Sequence, residues 1–283
     1  MASLRKIIGN VLAYFLKDHI GSIKTDVFRH NETIKYWMDT EIEKKHELKK
    51  LLGELRQTEK YNAAYVLKEP LVSIKIATYN KCELLTQRTI PSILKQTYKN
   101  WELIIVGDGC DDGTEETLKK IDDKRISFIN IPRSAHLYPE YPHFKWCVAG
   151  TPPMNKGIEM SKGEWFCHQD DDDEYTEEHI EVLLNAARKD ELEFVYGAAL
   201  MERKPDVWKK VGEYPLQAGK ICHQAIMYNS VLSIFKYNLY SWMLNEPGDA
   251  NMWRRLNEAG VKIGFVDHIV AKHFIERRIN TKK

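Results

Sequence analysis

The sequence lacks several features that are typical of common protein classes. Its 283 residues include only five cysteines, which are scattered and form no C-x-x-C pair, so neither a disulfide framework nor a zinc site is expected. Lys plus Arg (42) balances Asp plus Glu (41), so no excess of positive charge points to nucleic acid. No apolar run approaches the length of a membrane span, and the apolar residues 11–16 are too few for a secretion signal. These absences predict a cytoplasmic protein that binds no nucleic acid.

Two glycine-rich phosphate-binding motifs are also missing. Neither GxGxxG nor GxxxxGK[ST] occurs, which argues against a dinucleotide-binding domain and against a P-loop. Strand and helix patterns nevertheless alternate after Pro70. Strands are predicted at 71–80, 103–106, 126–131 and 165–168, and helices at 84–96 and 155–160. Alternation of this kind predicts an α/β fold with a mostly parallel sheet flanked by helices.

The first seventy residues contain no proline before Pro70 and are rich in Lys and Glu, which predicts a helical extension. Apolar residues recur in an imperfect heptad pattern (Ile20, Val27, Ile34, Leu48 and Leu55, joined by Ile23, Trp37 and Leu51). Three hypotheses fit this pattern. The helix packs on its own domain, it mediates self-association into a homo-oligomer, or residues 4–16 lie on the inner face of a membrane. We therefore divide the chain into the extension 1–69, a domain 70–275 and a basic tail 276–283.

The stretch from Gly163 to Tyr175, GEWFCHQDDDDEY, is the centre of the predicted domain. A short apolar run ends there in four consecutive aspartates, residues 170–173. Carboxylates at the end of a strand lie at the edge of the sheet where open α/β proteins bind ligands. Adjacent carboxylates suit a hard divalent cation such as Mg²⁺ or Mn²⁺, although a solvated acidic loop is an equally simple interpretation.

The order of these motifs resembles that of glycosyltransferase family 2. The matching segments are VSIKIATYN, ELIIVGDGCDDGT and MNKGIEMSKGEWFCHQDDDDE, and the resemblance covers roughly residues 71–275. It implies the GT-A fold, which is a Rossmann-like, mostly parallel sheet, here with an N-terminal α-helical extension. Two positions depart from the family pattern: Gly107 replaces an aspartate, and Met154 replaces an arginine that would contact phosphate.

The resemblance also implies roles for individual residues. It places the nucleotide base beside Asp108 and the Thr-Tyr-Asn loop, the metal on Asp172, the ribose or sugar on Asp170, and the donor sugar beside Asp173. The full set expected to bind the donor is Thr78, Tyr79, Asn80, Asp108, Asn155, Asp170, Asp171 and Arg255. His223 and Gln224 are expected to contact the acceptor.

The catalytic base implied by the resemblance is Asp249, in the segment NEPGDANMWRRL, where Gly248 replaces the family's glutamate. An N-cap role for Asp249 at the start of the following helix fits the sequence equally well. A histidine that faces the metal or the diphosphate is expected near residue 273. His273 matches this position best, and His268 is its competitor.

Together these features predict a metal-dependent inverting glycosyltransferase of polysaccharide biosynthesis. It would use Mn²⁺ or Mg²⁺ and transfer one sugar from a nucleoside-diphosphate sugar, with UDP expected ahead of GDP, to a saccharide, glycolipid or lipid-linked saccharide. One alternative is a nucleotidyltransferase, although the glycine-rich loop expected after its first strand is missing from IATYNKCELL. The other is a non-catalytic scaffold with a degenerate transferase domain.

Overall fold

In the computed structural model of the protein, residues 2–36, 43–133 and 135–275 are described, with side chains of the first helix described from His19 onward. The basic tail 276–283 and Trp37 of the heptad pattern lie outside the described residues, as do the side chains of residues 4–16.

Within the described residues, nine strands form one sheet in the order β3-β2-β1-β4-β8-β6-β9-β5, and β7 pairs with β6. Their bounds are β1 Val72–Thr78, β2 Trp101–Asp108, β3 Ile126–Ile131, β4 Trp165–His168, β5 Glu174–Tyr175, β6 Phe194–Lys204, β7 Val207–Val211, β8 Ile226–Asn229 and β9 Ile263–His273. The first four strands confirm the strands predicted from the sequence. The last strand, β9, pairs with β6 in a register that shifts between Gly197 and Ala199.

The sheet is parallel in its first half and mixed in its second half. Parallel pairing joins β1 to β2 and β4, β2 to β3, and β6 to β9. The pairs β4–β8, β6–β8, β6–β7 and β5–β9 are antiparallel. The parallel strands β1, β2 and β4 end at the same edge, and this edge carries Thr78, Asp108 and the aspartates that follow His168.

After the extension, helices alternate with the strands: α4 Cys82–Leu84, α5 Ile90–Leu94, α6 Thr114–Leu118, α7 Pro142–Cys147, α8 Thr151–Met160, α9 His179–Lys189 and α10 Gly248–Ala259. A π-helical turn, Leu85–Thr89, divides the helix predicted at 84–96. The segment 132–153 contains α7 and the first turn of α8. Pro152 and Pro153 fit that turn, because the first backbone N–H groups of a helix have no partner within it.

Apolar side chains of the central strands fill a core on each face of the sheet. Trp165 and Cys167 of β4 pack on one face with Leu183 of α9, whereas Phe166 packs on the other face with Trp253 of α10. This division follows from the alternation of side chains along a strand. The two cores fix the helices around the edge where β1, β2 and β4 end.

The N-terminal extension consists of α1 Ala2–Tyr36, α2 Glu43–Leu55 and α3 Glu59–Val66. Leu52 of α2 and Ala64 of α3 are fully buried, so these two helices pack on the domain that follows them. In α1, by contrast, five apolar side chains remain at least half exposed (Ile20, Ile23, Val27, Phe28 and Ile34), whereas Tyr36 at its end is buried. Self-association through α1 and contact with a membrane surface stay predictions. Among the described helices, none combines the length and the hydropathy that crossing a bilayer requires.

Candidate active site

Two pockets meet at the edge of the sheet where β1, β2 and β4 end. The first has a volume of about 520 Å³ and the second about 380 Å³. Their shared wall consists of Trp146, Ala149, Met154, Asp170 and His223. The two pockets are therefore adjacent.

The lining of the first pocket combines an aromatic ring with a buried carboxylate. Tyr79 follows β1, and the guanidinium carbon of Arg133 lies 3.6 Å from the centre of the tyrosine ring. Asp108 ends β2; its Oδ2 accepts a hydrogen bond from the Tyr138 hydroxyl (2.8 Å) and lies 3.4 Å from Arg133 Nη1. Its Oδ1 is buried and receives no hydrogen bond from any described residue. An unpaired acceptor beside a planar ring fits a nucleobase.

Asn80, expected in this pocket, instead joins the two loops that form its rim. Its backbone is left-handed (φ 53°), a conformation that asparagine tolerates better than most residues. Its side chain donates to Asp111 Oδ1 (2.7 Å) and accepts from the Asp111 amide (3.0 Å). Asn80 therefore fixes the loop that presents Thr78 and Tyr79, both of which line the pocket.

Asp170, Asp171 and Asp172 line the first pocket. Asp171 and Asp172 lie near a lysine, whereas Asp170 lies near two histidines. Lys81 Nζ lies 2.6 Å from Asp172 Oδ2 and 3.6 Å from Asp171 Oδ1. Burial raises the pKa of Asp171 to about 7, and Lys81 opposes this shift. Asp170 is paired differently, with His168 and His223.

Asp173 is fully buried and organises the far side of the second pocket. Its carboxylate accepts hydrogen bonds from His273 Nδ1 (2.7 Å), Gln224 Nε2 (2.8 Å) and the Phe274 amide (2.8 Å). The bond with Asp173 raises the pKa of His273 to about 9, which favours the charged imidazolium. His273 and Gln224 line the second pocket, whereas Asp173 lies behind them and holds both in place.

Asp249 lies in the first turn of α10 and lines the second pocket. The helix begins at Gly248 with Pro247 as its N-cap, so Asp249 is not the capping residue. Asp249 Oδ1 accepts a hydrogen bond from the Ala250 amide (2.7 Å). Burial raises the pKa of Asp249, and a raised pKa brings a carboxylate closer to the range of an effective general base.

Three residues singled out in the sequence lie away from the pockets. The side chain of Asn155 donates to the Tyr237 carbonyl (2.8 Å) and accepts from the Tyr237 amide (2.9 Å), so it fixes α8 to the segment after β8. Arg255 donates to Asn251 Oδ1 (3.0 Å) and to the Lys236 carbonyl (2.5 Å), and it borders a groove between α2 and α10. His268, the competitor of His273, lies 3.5 Å from a glutamate on the surface.

Sequence reasoning missed several residues of the two pockets, namely Lys81, Arg133, Tyr138, Lys145, Trp146 and His168. Lys81 directly follows the Thr-Tyr-Asn loop, so its position beside the sheet edge was available in the sequence. Trp146 belongs to the proline- and aromatic-rich segment 132–153, and its side chain remains 64% exposed although it borders both pockets. Its ring is therefore accessible to a ligand in either pocket.

Among the residues that the structure describes, two groups of side chains could hold a metal ion. Potential ligand atoms lie within 4.8 Å of one another in His168, Asp170 and His223, and likewise in Asp170, Asp173 and His273. Carboxylate oxygens and imidazole nitrogens are ligands that Mn²⁺ accepts, so the site fits a divalent cation. Asp172, the ligand expected from the family pattern, belongs to neither group.

Comparison with known proteins identifies the same family that the sequence motifs resemble. The family described as Glycosyl transferase family 2 matches residues 73–137 and 153–244, more than half of the chain. A glycosyltransferase of Methanocaldococcus jannaschii with no characterised activity is 28% identical over 227 residues, which are 75% of this chain and 73% of that protein. The Escherichia coli UDP-Glc:alpha-D-GlcNAc-diphosphoundecaprenol beta-1,3-glucosyltransferase WfaP is 30% identical over 47% of each chain. The chain spans only 37% and 53% of the length of two further relatives.

Solved structures show the same fold. The Staphylococcus aureus TarS fragment 1–349 in complex with UDP aligns with a TM-score of 0.56 at 14% identity, over 72% of this chain and 60% of that chain. Its complex with UDP-GlcNAc aligns with a TM-score of 0.53 at 14% identity, over 73% and 59%. The chain belongs to glycosyltransferase family 2, and the predicted fold class is confirmed.

Proposed function

We propose that this protein transfers a single sugar, with inversion, from a nucleoside-diphosphate sugar to a saccharide, glycolipid or lipid-linked saccharide, and that a divalent metal assists the reaction. One observation carries this proposal. A pocket with the features of a nucleobase site joins, at Asp170, a pocket that contains a partly buried carboxylate, Asp249. A donor in the first pocket would therefore present its sugar to an acceptor in the second.

The first pocket suits the donor from base to diphosphate. Asp108 offers a free carboxylate oxygen to an N–H of the base, and Tyr79 offers a ring on which the base stacks. UDP is favoured over GDP, because WfaP uses UDP-Glc by its name and the TarS complexes hold UDP and UDP-GlcNAc. Lys81 and Lys145 line the same pocket and would approach the diphosphate.

Asp170 in the shared wall, with Asp171 and Asp172 beside it in the first pocket, would hold a divalent cation next to that diphosphate. The family pattern assigns Asp172 and His273 to this cation, and a potential ligand atom of Asp170 lies within 4.8 Å of one of His273. The cation would supply charge neutralisation for the leaving diphosphate. Asp170 would also reach the ribose or the sugar from its place in the shared wall.

The second pocket suits the acceptor. Asp249 would take the proton of the attacking hydroxyl, because it lines the pocket next to the donor pocket and not the donor pocket itself. Gln224 and His223 offer polar contacts, and Trp146 offers an exposed ring on which a sugar can stack. Since WfaP acts by its name on a diphosphoundecaprenol-linked sugar, a lipid-linked acceptor is part of the proposal. Such an acceptor would place the protein in the cytoplasm at the inner face of the membrane, where α1 could contribute contacts.

Transfer and donor binding, measured side by side, test the proposal. UDP-sugars should raise the thermal stability of the protein in the presence of Mn²⁺, and EDTA should remove most of this effect. Asp249→Asn should lower the transfer rate at least a hundredfold with donor affinity within twofold of the parent's, because the carboxylate acts on the acceptor. Asp122→Asn, at an exposed position outside both pockets, is the matched control.

Two results would contradict the proposal. No stabilisation by any UDP- or GDP-sugar, with or without metal, would favour the non-catalytic scaffold. Loss of donor binding together with transfer in Asp249→Asn would show that Asp249 supports the pocket and does not serve as the base.

A further inference from the structure

The second half of α1 faces the domain with side chains that form hydrogen bonds. Thr25 Oγ1 lies 2.8 Å from the Tyr141 hydroxyl, and Thr33 Oγ1 donates to the Met243 carbonyl at 2.8 Å. Tyr36, at the end of the helix, is buried. The spacing of Thr25, Thr33 and Tyr36 places them on one side of the helix. This side of α1 therefore attaches the helix to the domain.

Apolar side chains of α1 point away from the domain. Four of them share one side of the helix, are 50–57% exposed and form what we call the apolar stripe: Ile20, Ile23, Val27 and Ile34. Successive residues of an α-helix are about 100° apart, so the apolar stripe lies on the far side from Thr25 and Tyr36. An amphipathic helix of a soluble domain ordinarily turns its apolar side toward the core. Because α1 is turned the other way, its apolar stripe requires a partner outside this domain.

Basic residues border the apolar stripe. Lys24 and Lys35 are exposed on one flank of it. The exposed acid on the other flank, Asp26, lies 3.7 Å from an arginine, and Glu32 is partly buried toward the domain. In the sequence, residues 2–17 contain three basic residues and no acidic one. An apolar stripe bordered by lysines complements an anionic bilayer, whose negative headgroups surround an apolar interior.

A second copy of α1 fits the same stripe less well. The stripe has the seven-residue spacing of a coiled coil, but one of its seam positions is occupied by the exposed His30. In a parallel pair of helices, Lys24 of one helix would face His19 of the other. Asp26 would face Asn31, so neither of these charges would meet an opposite charge across the seam. The charges beside the stripe therefore match an anionic membrane better than a second α1.

The elements on which α1 packs also border the second pocket. Thr25 contacts the residue that caps α7, and Trp146 of α7 lines that pocket. Thr33 contacts the helical turn Ser241–Leu244, and residues 247–249, which follow this turn, line the same pocket. An α-helix with its side chains is about 10–12 Å thick, so a membrane against the stripe would lie about that far from both elements.

We propose that the outward side of α1 docks the protein on an anionic membrane surface, with the helix lying in the plane of the bilayer. The apolar stripe enters the boundary between headgroups and acyl chains, and Lys24 and Lys35 meet the lipid phosphates. Docking of this kind brings the second pocket close to a lipid-linked acceptor. The supply of acceptor rests on the proposed function, whereas the docking itself does not.

Sedimentation of the full chain with lipid vesicles tests the docking. Vesicles of about one third phosphatidylglycerol in phosphatidylcholine should bind the protein about tenfold or more tightly than vesicles of phosphatidylcholine alone. Ile23→Ser/Val27→Ser should lower the affinity for the anionic vesicles about tenfold or more, and Lys24→Gln should lower it about fivefold. The matched control, Val66→Ser/Val207→Ser, changes two exposed apolar residues of other elements and should bind like the parent. Without vesicles all variants should unfold at the parent's temperature, because the changed side chains are exposed.

Other results would overturn the docking. Equal vesicle binding by Ile23→Ser/Val27→Ser and by the control, or no vesicle binding by the parent, would show that the stripe does not contact a membrane. Equal binding to both kinds of vesicle would refute the preference for an anionic surface. A dimer in light scattering that dissociates in Ile23→Ser/Val27→Ser would assign the stripe to a second copy of the chain.

A separate measurement keeps this inference distinct from the proposed function. Stabilisation by UDP with Mn²⁺, measured without vesicles, should be the same in the parent and in Ile23→Ser/Val27→Ser, because the stripe lies outside both pockets. Its absence in both proteins would count against the proposed function and leave the docking standing. Its loss in the variant alone would show that the stripe supports the fold, and would overturn the docking.

Discussion

The buried carboxylate of Glu193 gives a sharp test of how the N-terminal extension stabilises the protein. Glu193 is fully buried at the start of β6. It accepts hydrogen bonds from Arg56 of the extension at 2.6 and 2.7 Å, from Tyr61 OH at 3.1 Å and from the Lys262 amide at 2.8 Å. Arg56→Met removes the positive charge and two of these hydrogen bonds but keeps most of the side-chain volume.

The expected loss follows from the burial of each partner. Removing one member of a buried ion pair costs about 3–5 kcal/mol, because the other charge remains without compensation. Here the Arg56 side chain is 28% exposed, and two other donors still reach Glu193, so we expect the lower end of this range, about 3 kcal/mol. Lys50→Met, which breaks a pair of exposed side chains 4.0 Å apart, should cost less than about 0.5 kcal/mol and is the matched control.

The effect should depend on pH. Burial alone would raise the pKa of Glu193, but the hydrogen bonds from Arg56 and the Lys262 amide outweigh it and hold the pKa below its ordinary value. A carboxyl whose folded pKa is lowered contributes stability above its unfolded pKa and loses it as pH falls through the folded pKa. Without Arg56 burial dominates and raises the folded pKa. The difference between the parent and Arg56→Met should therefore shrink as pH falls from 7 toward 4.

Urea unfolding at several pH values, for the parent and both variants, measures these differences. The variant Arg56→Met/Glu193→Gln should recover part of the stability, because it no longer buries an uncompensated charge. A loss in Arg56→Met no larger than that in Lys50→Met, or a loss that stays constant down to pH 4, would refute the reasoning.

Three further predictions concern the fold and the second pocket. Lys75 is buried between two aromatic rings and donates a hydrogen bond to the Cys167 carbonyl. Lys75→Met should therefore raise the free energy of unfolding, measured by urea titration, by about 1 kcal/mol or more. A free energy of unfolding below the parent's would show that the cation contributes net stability. Gly163→Ala should lower the thermal unfolding temperature by several degrees, since the added Cβ would collide with the Leu71 carbonyl oxygen, and an unchanged temperature would mean that the backbone yields easily. Trp146→Ala should raise the acceptor KM about tenfold with a smaller effect on the donor KM, and equal changes in both would contradict a sugar-stacking role.

The sequence was most informative where local pattern and position in the sheet coincide. The strands β1 to β4 followed from apolar runs that end in polar residues, and their parallel pairing brought Thr78, Asp108 and Asp170 to one edge. The position of Asp249 at the start of a helix was also predictable, because α10 begins after a proline and shows clear helical spacing.

What the sequence did not reveal depends on contacts between residues far apart in the chain. The antiparallel pairing of β8 with β4 and β6 is set by packing that no local pattern encodes. Asn155 and Arg255 matched family positions, yet their hydrogen bonds lead to the segment after β8 and away from the pockets. The stacking of His168 on His223 joins residues 55 positions apart, so neither residue suggests it alone.

The contact between Trp165 and α3 has a consequence for how such a domain could be exchanged between genes. Trp165 lies in the central strand β4, and its indole N–H donates to the carbonyl of Ala64, nine residues before the segment 73–137 that matches the family. A recombination that transferred only the matched segments would leave the Trp165 indole without its acceptor, the Ala64 carbonyl. It would also separate Leu52 from the core in which it is buried. The part of the chain that must be exchanged as one piece therefore begins before the matched segments. A chimaera that contains these segments would have to include α2 and α3 as well.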